Sequence, residues 1–118
     1  MTYTGPERRK YPRVSGRFVV SYSLLEDVHD LDISQTRNIG LGGIMFTTNR
    51  FFATGTKLAL ELRLPYHTDP ITVIGQALES REVTKNLIYD TRIQFISVEE
   101  KYKKVLIQTV NFYLKKGP

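Results

Sequence analysis

A chain of 118 residues is long enough for one domain around a single core and too short for two. With 41% hydrophobic and 25% charged residues the composition is globular rather than disordered, and the absence of cysteine excludes disulfides and thiolate metal sites and fits a reducing cytoplasm. The net charge of +5 is unevenly placed: residues 1–17 carry +4, residues 18–98 carry −2 and residues 99–118 carry +3.

Positive charge gathered at two ends of a mildly acidic body suits capture of a compact anion better than a continuous nucleic-acid track, so neither DNA nor RNA is expected as a partner. No apolar run approaches the roughly 20 residues of a spanning helix, and the basic start has no apolar stretch after it, so neither membrane insertion nor a leader is expected.

In chain order, residues 1–15 contain Gly5, Pro6 and Pro12 without an apolar period and are expected to form an extended, mobile basic arm, with the folded domain over 16–118. Phe18, Val20, Tyr22 and Leu24 alternate with Val19, Ser21 and Ser23 as a half-buried strand. Asp27 to Asp30 reads as a turn, after which Leu31, Ile33, Gln35, Arg37 and Ile39 share one face of a second strand. Ile44 and Phe46 mark a short third strand. Leu58, Leu60, Leu62 and Leu64 give the cleanest alternation, a fourth. Ile71 to Val83 is long for one strand, and its apolar phase shifts around Gly75, which predicts a bulge. Tyr89, Thr91, Ile93 and Phe95 form a sixth strand. Ser97-Val98-Glu99-Glu100 has the form of a capping box. It opens a helix whose stripe is Val98, Tyr102, Val105, Leu106, Val110, Tyr113 and Leu114. The fold class is therefore mainly all-β: an antiparallel barrel or barrel-like sandwich, since closure removes exposed edges, with one C-terminal amphipathic helix against it.

Catalytic chemistry is sparse. His29 and His67 lie far apart without metal-ligand spacing, and Asp30 and Asp32 lack a glycine-turned calcium loop. No G-x-S-x-G elbow surrounds a serine. Neither enzymatic activity nor a metal is expected. The run Asn38-Ile39-Gly40-Leu41-Gly42-Gly43 has neither the third glycine of a dinucleotide fingerprint nor the Lys-Ser/Thr of a P-loop. It is expected to be a tight turn with Gly42 and Gly43 at positive φ. Bare glycine amides would let a flat or charged ligand approach, and Asn38 offers a two-way amide for a base edge.

Two stretches stand out together. "ERRKYPRV" places Arg8, Arg9, Lys10 and Arg13 among eight residues, and Arg9 to Arg13 is an R-x-x-x-R. About 25 residues later comes the Asn38–Gly43 run, similar to [D/N]-x-S-x-x-G. In this order, with two strands intervening, the pair resembles the PilZ domain family of bacterial cyclic di-GMP receptors, over nearly the whole chain. The resemblance implies a six-stranded antiparallel β-barrel with a closing C-terminal α-helix, and cyclic di-GMP as ligand with no further cofactor. It implies that Arg9 and Arg13 contact the phosphates and guanine, that Asn38 hydrogen-bonds a guanine and that Gly43 shapes the turn. Arginine suits such a ligand because its planar fork matches phosphate and the guanine O6/N7 edge and stacks on purines. Gly40 stands where the family usually has serine, so one hydroxyl donor is missing. Arg8, directly before the motif, implies an intercalated ligand pair, since one cyclic di-GMP carries two negative charges against four cations here. A downstream protein partner is expected. The alternatives are a degenerate adaptor that binds only protein, and a small nucleic-acid barrel. The latter is disfavoured because most strand aromatics keep phase with core aliphatics instead of forming an exposed stacking platform.

Overall fold

The structure, a computed structural model, describes residues 13–65 and 67–116. Seven strands and one helix follow in order: β1 Arg13–Ser15, β2 Val19–Leu24, β3 Asp27–Gly40, β4 Gly43–Thr48, β5 Lys57–Arg63, β6 Ile71–Thr84, β7 Ile88–Val98 and α1 Glu100–Lys116. All pairings are antiparallel. β3, β2, β5, β6, β7 and β4 pair successively, and β4 returns to β3, so six strands close a barrel. The seventh, β1, adds to β3.

The leucine alternation in β5 fixes the register of the core. Leu62, Leu60 and Leu58 stand opposite Val20, Tyr22 and Leu24 of β2 on one side. On the other side Leu62 and Leu60 face Ile71 and Val73 of β6. These side chains, with Ile39, Ile44, Phe46 and Ile93, fill the interior. A period of two puts every second residue on the same face, so a one-residue slip would carry the whole set to solvent. Tyr22 closes against Phe46 at 4.9 Å and Phe52 at 6.1 Å between ring centroids. Burial holds its phenol above the ordinary value. Along α1, Val105, Leu106 and Val110 are buried, and Tyr113 meets Phe18 edge-on at 5.6 Å. Among the described residues no helix is long and apolar enough to cross a membrane.

Four expectations change in detail. Residues Arg13–Ser15, placed in the arm by their sequence, form β1, and Val14 is buried in the core. The turn expected over Asp27–Asp30 falls at Leu25–Glu26, and β3 begins at Asp27. The face proposed for β3 is broken: Ile33 and Arg37 are exposed while Ile39 is fully buried, because a bulge between Thr36 and Asn38 reverses the phase. The capping box is not made. Ser97 stays in β7, paired with Ile74, and the Glu99 carbonyl starts the helix, accepting from the Tyr102 and Lys103 amides at 2.9 and 3.2 Å. The bulge expected near Gly75 is present, with a register shift between Ile74 and Gly75. A Cβ at Gly75 would strike Ile93 Cγ2 and approach Gln94 O at 3.3 Å, so the closeness of β7 requires glycine there.

Candidate ligand site

β1 and β2 run one after the other along the same edge of β3, with a kink at Gly16–Phe18 between them. Thr36 pins that kink: its hydroxyl donates to the Gly16 carbonyl at 2.6 Å and accepts from the Phe18 amide at 3.0 Å. The Thr36 amide donates to the Phe18 carbonyl at 2.8 Å. A buried threonine at the bulge thereby satisfies backbone groups that the irregular chain leaves without ladder partners.

The pinning sets β1 in register, with Arg13 opposite Gly40, Val14 opposite Ile39 and Ser15 opposite Asn38. Val14 and Ile39 point inward and are buried, so Arg13, Ser15 and Asn38 belong to the outer face, with Gly40 in the same phase opposite Arg13 but itself buried. There the Arg13 Nη1 donates to Asn38 Oδ1 at 3.4 Å, a long bond between residues 25 apart in the chain. Both side chains are half-buried. The arrangement offers a guanidinium fork beside a carboxamide on a flat strand surface. Such a pair can grip an anion with the fork while the amide both donates to and accepts from the edge of a planar heterocycle.

Of the six candidate residues, Arg13, Asn38 and Gly40 are brought together here. Arg8 and Arg9 lie outside the described residues. Gly43 is not part of this surface: it is buried at the start of β4, opposite Gln94 of β7. A Cβ on Gly43 would run into the Ile93 carbonyl oxygen. Its glycine is thus required by the approach of β7, and not by backbone angle. The positive φ expected at Gly42 and Gly43 is absent; among the described residues only Gly55, at 95°, and Asn86, at 59°, adopt one. The turn is held instead by β7, whose Phe95 amide donates to the Gly42 carbonyl at 2.8 Å. Leu41 packs from the turn against the core beside Leu106 of α1.

Sequence reasoning missed Thr36 and Ser15. Thr36 carried no signal, since it lies on the phase opposite to Ile33, Gln35 and Arg37 and is seen to point inward only in the structure. Ser15 carried none, because β1 has too few residues to show a period.

The described residues thus form a closed six-stranded barrel with a guanidinium–carboxamide pair set across β1 and β3. A family model for the PilZ domain matches residues 7–112. The chain belongs to the PilZ domain family.

Solved structures agree on the fold. The Bacillus subtilis inhibitor of motility (MotI/DgrA) is similar with a TM-score of 0.79 and 21% identity, over 96% of this chain and 55% of that one. The PilZ domain of YcgR from Escherichia coli, solved with c-di-GMP, gives 0.69 and 16%, over 93% of this chain and 94% of that one. The K. pneumonia MrkH–c-di-GMP complex gives 0.72 and 13%, over 94% and 54%. The chain thus spans about half the length of MotI and MrkH. No curated protein sequence matches it.

Proposed function

We propose that this chain is a non-enzymatic receptor for cyclic di-GMP. The observation that carries the reading is the meeting of Arg13 and Asn38. Each comes from one of two separate motifs, and the register of β1 on β3 sets them 3.4 Å apart on one outer face. Family membership and the ligand present in the YcgR and MrkH structures support the same reading.

In this account Arg13 and Arg9 take the phosphates and the O6/N7 edge of guanine, and Asn38 holds a guanine against the barrel. Arg8 and Lys10 bring the cation count to four, which matches the charge of a self-stacked ligand pair. Neutralising these cations folds residues 7–12 over the barrel face, and the new surface is what a downstream protein reads. Gly40 leaves one hydroxyl donor out, a loss of about 0.5–1.5 kcal/mol that weakens binding without abolishing it.

Calorimetric titration with cyclic di-GMP tests the proposal. Saturable binding of two ligands per chain is expected, falling to one in Arg8→Ala. One ligand per parent chain removes the paired ligand. No heat from a folded chain removes the receptor function and leaves an adaptor that binds only protein.

A further inference from the structure

The register of β3 breaks at Arg37. Thr36 stands opposite Phe46 of β4 and Asn38 opposite Met45, which makes Arg37 the extra residue of a bulge. The bulge turns Arg37 and Asn38 outward in succession. From Gln35 back to Asp27 no residue of β4 is registered with β3, while Thr47 and Thr48 pair with Asp90 and Tyr89 of β7. The strands part there. The opening is a cleft of about 600 Å³, lined among others by Arg17, Val19, Ile33, Gln35, Arg37 and Thr47.

Its chemistry is that of a phosphorylated planar ligand. Arg17 and Arg37 supply two guanidinium forks and Gln35 a two-way amide. Val19 and Ile33, 40% and 74% exposed, give an aliphatic wall on which a ring can lie. The volume falls within the roughly 300–1,000 Å³ of small-molecule sites.

Asp90 is a separate observation pointing the same way. Its side chain is only 10% exposed and lies 3.6 Å from Arg37 Nη1 and 3.5 Å from Arg81 Nη2. Oδ1, the oxygen nearest Arg37, is buried and accepts no hydrogen bond. Arg37 is therefore drawn to Asp90 without being fixed by it, and an ion pair with one exposed partner is weak. A phosphate, which accepts a bidentate charge-assisted fork, outcompetes such a carboxylate.

We infer that Arg37 is a further ligand-binding residue: its guanidinium leaves Asp90 for the phosphate or purine of a cyclic dinucleotide whose one half occupies the cleft, while its other half lies against Arg13 and Asn38. This rests on the receptor reading above. Asp90 is the competitor that sets how tightly the cleft half is held, and Arg81 neutralises it when Arg37 departs.

Calorimetry with cyclic di-GMP on the full chain tests this, using Arg37→Ala, Asp90→Asn and the double variant, with thermal melts to show that each is folded. Arg37→Ala is expected to weaken binding by about ten- to a hundredfold. Asp90→Asn is expected to tighten it roughly two- to fivefold when Arg37 is present and to have no effect when it is absent. Parent-like affinity in Arg37→Ala, or an Asp90→Asn effect independent of Arg37, overturns the inference while leaving the receptor intact. A parent chain that binds no cyclic di-GMP overturns both.

Discussion

Arg13 does two separable things. Its backbone belongs to β1 opposite Gly40, and its side chain reaches across the outer face to Asn38. Alanine keeps the first and removes the second. Arg13→Ala is therefore expected to lose about 1.5–3 kcal/mol of ligand binding, the worth of one hydrogen bond involving a charged group. Its folding stability, read by chemical denaturation, should stay within about 0.5 kcal/mol of the parent. Unchanged affinity would place the ligand elsewhere. Gly40 presents the opposite case. It lies directly across from Arg13 and does not occupy the left-handed region, so no backbone strain opposes a side chain there. Gly40→Ser is expected to tighten binding by up to about tenfold, the value of one added neutral hydrogen bond. Weaker binding by a stably folded Gly40→Ser would show that the ligand needs bare backbone at this position.

The kink between β1 and β2 depends on one side chain. Thr36→Val keeps the shape of the buried residue but strips partners from the Gly16 carbonyl and the Phe18 amide. A stability loss of about 1–3 kcal/mol is expected, with weaker ligand binding because β1 no longer holds Arg13 in register. Loss of stability with parent-like affinity would separate the kink from the site. The elements with a long, clean period were legible in the sequence: the leucines of β5, the stripe of α1 from Val105 to Val110 and the bulge at Gly75 appear where expected. However, Ile71, Val73, Gly75 and Ala77 keep one buried phase through that bulge, and Val98, read as the first residue of the stripe, ends β7. The bulge at Arg37 was not, since Arg37 and Ile39 keep a perfect two-residue spacing that only the pairing with β4 interrupts. The helix start failed for a similar reason. A serine suited to capping was held in β7 by its partner strand β6, so tertiary pairing overrode local preference. Part of the candidate site was readable because Arg13 and Asn38 carry the chemistry themselves. Its supports were not, because Thr36 acts through backbone groups that no motif names.

Across the whole molecule, the barrel sets β1, with Arg13, on the edge of β3 and packs α1 against the core. Phe18, directly after the kink, touches Tyr113 of α1, and Leu41 packs from the turn beside Leu106. Under the proposed function, a ligand held on β1 and Asn38 would bear on the helix through these contacts. The central claim is that cyclic di-GMP binds on the outer face where β1 meets β3. Backbone amide shifts in a heteronuclear NMR titration test it most directly. The account predicts large changes at residues 7–15 and 34–43, with the β5 amides from Leu58 to Leu62 unmoved. Saturable shifts confined to β5 and β6, or no shifts at all with the chain folded, would contradict it.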